Sequence, residues 1–534
     1  MATRDLPHNF TELTTGWARR IPNEITIFKK KQELIENDEL LDSDDEVETK
    51  VRVKNLWPAF CAGSGLFSEG YINNSASTIL FCLRRIYGDE FTESRAMSNI
   101  AAIAFVGIVV GQLSFGYISD RIARKGGMMA ANIMLIFFTL MCAVGSWGVT
   151  VQGQFAAITV WRFFMGVGIG AEYPTSSVIA SEFANQLPAG HRNRYFSMFT
   201  NFMIDFGFVV SSFVPFVLIW IFTDRHLRAL WRVTIGLGVI PPLILFFLRL
   251  KMSDSKSFKK TNMKNVRYRD YPWMLIIKFY WFRIIIVSLI WFIYDFSVYS
   301  FGNFSTIIID EIIPDAPIWK TFGWNIVFNV FYLPGSFLGA FAADYFGPRL
   351  TLAVGVLCQA VIGFAMSARL ADLKKHIAGF VVVFGIFSTL GEFGPGNNIG
   401  LIASKTSATP IRGQYYSISA AIGKIGSFVG SYVFPAIQKH YKNPDKPDLE
   451  LQVPFYISAG LCCVSGCLAL FFLPNIGQDA INHEDREFIN YLQANNFDIS
   501  KLGDQGKLEI NATTGSEDDS LEKGKKFGVD QASV

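Results

Sequence analysis

Between residues 56 and 475 the chain returns repeatedly to apolar stretches of about 20 residues, the length an α-helix needs to cross the hydrocarbon core of a bilayer. Twelve spans are expected, at 57–82, 97–119, 127–148, 154–181, 195–221, 230–249, 282–308, 322–343, 350–369, 377–403, 414–438 and 453–473. In lipid a backbone has to satisfy its own N–H and C=O groups, so spans of this length are helices. The predicted fold class is an all-α polytopic membrane protein. Composition supports this: 51% of residues are hydrophobic and only 17% charged, against about a quarter in a soluble domain. A net charge of +3 gives no reason to expect a nucleic-acid partner.

The polar segments divide the chain into a tail (1–55), a first bundle (56–250), a linker (251–275), a second bundle (276–475) and a second tail (476–534). The linker, KMSDSKSFKKTNMKNVRYRD and its flank, holds seven Lys/Arg against two Asp in that stretch. The positive-inside rule puts it in the cytoplasm, and an even number of spans then puts both termini there. The opening MATRDLPHNF has no apolar core, so no signal peptide is expected. Residues 1–55 and 485–534 are charged, poor in aromatics and expected to be mobile. The seven cysteines all fall in apolar stretches and read as small packing residues; neither they nor the six scattered histidines form a metal-ligand pattern.

An internal repeat organises the spans. The loop after the second span reads GYISDRIARK and the loop after the eighth GAFAADYFGPR, with Asp120 and Asp344 224 positions apart. Ile179-Ala180-Ser181 returns as Ile402-Ala403-Ser404, 223 later, and Arg192 of RNRYFS returns as Arg412 of RGQYYS, 220 later. Landmarks at near-constant separation predict two six-helix halves of the same parity. Such halves can rock about a central site, giving alternating access. Asp120, Arg121 and Arg124, with Asp344 in the repeat, form a candidate gating motif. They act either as topological anchors or as a charge latch between the halves.

Ionisable residues inside spans are expensive and mark function. Asp295 interrupts WFIYDFSVY in span seven, 226 residues after Glu69 in span one. Glu172 in span four precedes Glu392 in span ten by 220. With Asp205 in span five and Lys424 in span eleven, the bundle holds five acids and one lysine, which cannot all be charged in a dry interior. Around a cavity they can share protons, pair with Lys424 and bind ions. Trp291, Asp295 and Tyr299 are spaced i, i+4, i+8 and so share a helix face, a stripe of donors and an acid suited to an oxygen-rich ligand. Glu172 is followed by Tyr173 and Pro174, where a helix break would bare backbone groups to a cavity. Arg162, about 15 Å earlier on the same span by helical rise, is placed to stabilise a carboxylate on a neighbouring helix. There is no G-x-x-x-x-G-K-[ST] motif for an ATP-driven mechanism, and no nucleophile–base pair for an enzyme.

Span four, WRFFMGVGIGAEYPTSSVIASE, span seven, WFIYDFSVY, and span eleven, RGQYYSISAAIGKIGSFVG, resemble the phosphate:proton symporters of the major facilitator superfamily. GAEYPTS, KFYW, YDF, GPG and SATPIRG, spread over roughly 55–475, look most like its fungal glycerophosphodiester permeases, which import glycerophosphoinositol and glycerophosphocholine. The resemblance implies the major facilitator fold, a plasma-membrane location, a glycerophosphodiester substrate and a proton gradient in place of any cofactor. Carried over by position, it implies a proton- and substrate-linked aspartate at Asp295, flanked by Trp291 and Tyr299. It likewise implies an acid–tyrosine pair at Glu172 and Tyr173, a substrate-anion lysine at Lys424, the span-four arginine at Arg162 and the span-one acid at Glu69. Three positions depart from the pattern. Glu69 stands where Asp is usual, Asp205 lies near the place of a glutamine in phosphate carriers, and Glu392 stands where Asn is expected. These departures count against plain phosphate as the main substrate.

A glycerophosphodiester carries one negative charge on phosphate. Two like charges 4 Å apart repel by about 4 kcal/mol at an effective dielectric near 20, and Lys424 offsets one such interaction only. Protonating Asp295 or Glu69 removes the repulsion, so proton and substrate favour each other's binding. Asp205 and Glu392, with Phe393, Tyr294 or Tyr299 as walls, form a candidate subsite for choline, since quaternary ammonium favours aromatic faces near negative charge. Asn397, Asn398 and Asn201 would instead suit inositol hydroxyls. The reading leans towards glycerophosphocholine, with glycerophosphoinositol close. An inorganic phosphate:proton symporter and a transport-inactive nutrient receptor are the alternatives.

Overall fold

The computed structural model describes residues 53–502 with Ala18 and Ile21, apart from 122–123, 188–189, 253–257, 260–261, 264–265, 267–269 and single positions 315, 444, 447, 475, 500 and 501. The first tail, much of the linker and residues 503–534 thus lie outside the described residues. Every described element is a helix. The twelve spans are α1 (Gly65–Tyr87), α2 (Ala96–Arg121), α3 (Arg124–Val144), α4 (Val151–Asn185), α5 (Arg192–Phe222) and α6 (Asp224–Arg249) in one half. The other half holds α7 (Trp273–Ile312), α8 (Ile318–Tyr345), α9 (Pro348–Ala368), α10 (Ile377–Lys405), α11 (Thr409–His440) and α12 (Leu449–Phe472).

Eleven of these are long and apolar enough to cross a membrane by composition alone. The exception is α1, whose centre reads SEGYINNSAST. It is buried from Ser68 to Leu83, so its polar groups meet protein in place of lipid. Asn74, for example, donates to the Phe208 carbonyl and to the hydroxyls of Ser211 and Ser212 on α5, each at 2.9 Å. The lipid-facing helices carry the opposite pattern, with Ile133, Phe247, Val361 and Val464 exposed.

The halves meet where α1 packs on α7, α2 on α11 and α5 on α8. Small residues let the central helices approach. A Cβ on Gly426 of α11 would stand 2.3 Å from the Phe292 carbonyl oxygen of α7, a backbone contact of the small-residue kind that drives helix association in membranes. This brings the Lys424 turn against the Asp295 turn.

At Pro174 and Pro395 the helices do not break. Each absorbs its proline in a single widened π-type turn, Tyr173–Ser177 in α4 and Glu392–Gly396 in α10. The two turns are 219 residues apart and obey the repeat. Such wide turns recur at functional sites.

Part of the second tail is helical. A helix beyond the twelve spans, α13 (Ala480–Ala494), buries Ile481, Glu484, Phe488 and Leu492. It lies against the bundle because Ile481, Phe488 and Leu492 share one face with Glu484, whose charge Arg283 answers at 3.0 Å; an acid within the stripe hides it in composition.

Candidate functional site

A cavity lies between the halves, lined among others by Tyr173, Asn201, Asp205, Phe208, Trp291, Tyr294, Asp295, Tyr299, Glu392, Asn397, Tyr416 and Lys424. Its centre is one lysine among acids and phenols. Lys424 Nζ stands 3.2 Å from Asp295 Oδ2 and 3.9 Å from Glu69 Oε1. The ammonium also sits 3.8 Å from the Tyr299 ring centroid and 5.1 Å from that of Tyr173, a favourable cation–π arrangement. Glu69 accepts hydrogen bonds from Tyr173 Oη, from Tyr299 Oη at 3.2 Å and from Asn73 at 3.4 Å. Ser427 donates to Asp295 at 3.3 Å. Trp291 packs edge-on against Tyr416, with centroids 5.5 Å apart.

A second pair of acids lines the same cavity. Glu392 accepts from Tyr294 Oη at 2.7 Å and from Asn201 Nδ2 at 2.9 Å, while Asp205 faces it from α5. Asn397 lines the wall and donates to the Ser336 carbonyl at 2.5 Å.

Four sequence expectations fall elsewhere. Glu172 does not reach the cavity. It turns into its own half, 2.5 Å from Arg249 of α6, with Ser176 donating to it. Arg249 also donates to the carbonyls of Cys61 and Ala62, at 2.9 Å each, so the acid neutralises a buried cross-helix arginine. Arg162 donates to the Ile100 carbonyl at 2.7 Å and forms no ion pair among the described residues. Asn398 points into α10, donating to the Gly394 carbonyl at 2.7 Å. Phe393 is absent from the wall; Phe208, one turn beyond Asp205, and Tyr294 supply the aromatic faces there.

The candidate gating residues divide. At the linker end, Asp120 accepts the backbone N–H groups of Gly413 (2.9 Å) and Gln414 (2.8 Å), in the other half, where the α-helical part of α11 begins at Arg412. Asp344 does the same in reverse, accepting from Asn193 (3.1 Å) and Arg194 (3.3 Å) at the start of α5. Unsatisfied N–H groups and the helix dipole make a helix N-terminus an anion site. Each half therefore grips the other with the same chemistry. Arg124 binds Glu182 and the Thr409 carbonyl (2.9 Å), and Glu182 lies 3.3 Å from Arg412. Arg121 instead holds the linker, donating to the Met263 carbonyl at 3.3 Å and lying 4.9 Å from the Tyr271 centroid.

Alongside this latch, Asp485 of α13 accepts from Thr409 N (2.5 Å) and Oγ1 (2.6 Å) and lies 3.7 Å from Arg412. Burial pushes its carboxyl above the ordinary carboxylate range, against the pull of Arg412 and Thr409. Glu484 pairs with Arg283 at 3.0 Å. At the opposite end, Arg85 meets Asp310 at 2.5 Å and Arg84 meets Glu311 at 3.1 Å, joining α1 to α7. Both ends are closed, and the cavity's volume is about 50 Å³, room for a few waters only. The conformation is occluded.

Sequence reasoning missed Arg249, Glu182 and the outer pairs. The repeat held a signal for one of them: Glu182 follows IAS in the first half where Lys405 follows it in the second. Lys405 accordingly makes a different contact, donating to the Gln478 carbonyl at 2.9 Å.

Twelve helices in two repeated halves, closed at both ends around a charged cavity, define a transporter of the major facilitator superfamily. The profile of the "Sugar (and other) transporter" family matches residues 58–270 and 259–488. The major glycerophosphoinositol permease GIT3 of Candida albicans is 71% identical over 538 residues, spanning 100% of both chains. The glycerophosphocholine permease GIT4 of the same organism is 70% identical over 506 residues, 95% of this chain and 94% of that one. Among solved structures, the proton:xylose symporter XylE of E. coli superposes with a TM-score of 0.66 over 82% of this chain and 98% of that one, at 17% identity, a likeness of fold. Within the superfamily, this chain belongs to the fungal glycerophosphodiester permeases.

Proposed function

We propose that the protein imports glycerophosphodiesters across the plasma membrane together with protons, by alternating access, in the service of scavenging phosphate and the attached headgroup. The observation that carries this reading is Lys424 held between Asp295 and Glu69. With both acids ionised the lysine is outnumbered and the cavity repels a phosphodiester. With a proton on Asp295 or Glu69, the lysine is free to pair with the phosphate, and the protonated acid gains a donor for a phosphate oxygen. Trp291, Tyr173 and Tyr299 stand round the same point with further donors. Proton and diester then bind with positive coupling, which is reciprocal.

The basic linker supports an orientation with the Asp120 and Asp344 latch, the linker and both termini in the cytoplasm. On that orientation the Arg84 and Arg85 pairs close the outer mouth. The acids Asp205 and Glu392 favour glycerophosphocholine, with glycerophosphoinositol close, as relatives named for each are about equally similar.

The test is uptake of radiolabelled diesters by proteoliposomes holding the purified protein, with and without an inward proton gradient. Accumulation that collapses with a protonophore, and that excess free phosphate fails to suppress, is expected. Accumulation indifferent to the gradient would refute the coupling, and free phosphate as the better substrate would refute the cargo.

A further inference from the structure

Asp205 is the one acid on the cavity wall that nothing answers. It is 1% exposed, and neither carboxylate oxygen has a hydrogen-bond partner among the described residues. Ser336 faces it from α8, but that hydroxyl is directed to the carbonyls of Tyr332 and Leu333, at 3.3 Å each. Glu392, across the interface on α10, has its two donors already. The other titratable groups around the cavity are Glu69 on α1, Tyr173 on α4, Tyr294, Asp295 and Tyr299 on α7, Tyr332 on α8, and Tyr416 and Lys424 on α11. Lys424 is the sole cation of that set, and it is committed to Asp295 and Glu69. Asp205 and Glu392 are thus an acid pair, one from each half, without a base.

A bare carboxylate in a closed cavity takes up a proton in preference to remaining charged. We infer that Asp205 carries a proton of its own, and that a cationic headgroup replaces that proton when the diester binds. The inference rests on the diester reading above and adds what decides between headgroups. A quaternary ammonium cannot donate hydrogen bonds; it binds where negative charge adjoins aromatic faces. Phe208 and Tyr294 line the cavity beside the pair, and Phe208 is braced edge-on by Tyr332, centroids 5.5 Å apart.

The charges balance in both cases. An inositol-headed diester brings one negative charge, and Asp205 keeps its proton. A choline-headed diester brings the same negative phosphate and one positive headgroup, and Asp205 releases its proton to the water on the side from which the diester came. The loaded cavity carries the same net charge either way, while the inositol diester crosses with one proton more.

The experiment compares radiolabelled glycerophosphocholine and glycerophosphoinositol in proteoliposomes over a range of external pH, for the wild type and Asp205→Asn. In the wild type, uptake at low substrate should fall more steeply with rising pH for the inositol diester, by up to about tenfold more per pH unit, one proton's worth of linkage. Asp205→Asn should lose the choline diester at least about tenfold more severely than the inositol diester, a loss typical of an unpaired desolvated cation, and the two pH slopes should converge. Equal slopes in the wild type, or equal losses in the variant, would overturn the inference. Should Asp205→Asn fail to fold, Asp205→Glu serves: unequal slopes retained support the assignment, and equal slopes sink it. Wild type that transports neither diester would instead refute the transport reading on which this one stands.

Discussion

Lys424 Nζ lies 3.2 Å from Asp295 in its own half and 3.9 Å from Glu69 in the other, so one ammonium is shared between acids that belong to the two halves. Removing it leaves two buried carboxylates uncompensated. Breaking one partner out of a buried pair costs about 3–5 kcal/mol. Lys424→Gln should abolish uptake and lower the thermal unfolding temperature of the detergent-solubilised protein. Adding Asp295→Asn to it should restore much of the stability and none of the transport; recovery of transport would remove Lys424 from the substrate site.

Asp295→Asn alone keeps a hydrogen-bonding group beside Lys424 and Ser427 but cannot take up or release the proton. On the proposed mechanism, with Asp295 as the coupling acid, gradient-driven accumulation should fall by at least about tenfold and lose its pH dependence. Exchange of internal for external diester at equal pH should survive to a greater extent. Parallel measurement on Glu69→Gln identifies which of the two acids carries the coupled proton: its variant shows the larger gap between accumulation and exchange.

Each latch aspartate accepts two backbone N–H groups at a helix start. Hydrogen bonds to charged groups contribute about 1.5–3 kcal/mol each. Asp120→Asn or Asp344→Asn should therefore shift the population towards the form open at the linker end, by roughly tenfold or more. A cysteine introduced at Asn397, on the cavity wall, should react faster with a membrane-impermeant maleimide supplied from that side. Unchanged labelling in both variants would reduce these residues to topological anchors.

A methyl group on Gly426 would meet the Phe292 carbonyl at 2.3 Å, and neither backbone has a flexible end that can yield. Overpacking of this kind costs about 1–3 kcal/mol. Gly426→Ala should push α11 from α7 and draw Lys424 from Asp295, cutting uptake severely in protein that still reaches the membrane. Normal uptake would mean that the spacing of these two helices is not set at Gly426.

Asp485 outside the spans gives a pH dependence with a definite sign. Its carboxyl is raised by burial above the ordinary range. A raised acid contributes stability that is full below its unfolded value and lost as pH climbs through the folded one. Docking of α13 should loosen as the pH at that face rises across that interval. Hydrogen exchange over 480–494, corrected for intrinsic rates, should show it, and Asp485→Asn should flatten the profile.

Much of this was readable in the chain itself. Helices in lipid follow from length and hydropathy, and the repeat supplies the two halves; the span expected at 57–82 covers most of α1 in spite of its polar centre. Asp295, Lys424, Asp205 and Glu392 are legible because each is an ion in a membrane-length span, and Glu69, in a polar stretch, because it falls 226 residues before Asp295 by the repeat. What the chain concealed was direction. Glu172 and Glu392 occupy matching places by the repeat, yet one faces Arg249 and the other the cavity. The wide turns begin at Tyr173 and at Glu392, so in the fold Glu392 matches Tyr173, which also lines the cavity, while Glu172 falls one place earlier; a one-residue difference of register is below what the repeat in the sequence resolves. Backbone partners are equally hidden: the sequence offers Asp120 as an anchor or a charge latch, but it does not show that two N–H groups nearly 300 residues away receive the carboxylate.

The reciprocal grip of Asp120 and Asp344 bears on how the two halves hold together at the linker end. Each half clasps the start of a helix in the other, so both seams there are fastened by the same kind of bond. A rigid separation of the halves at that end breaks both clasps together, and neither seam is the weaker by design of the repeat.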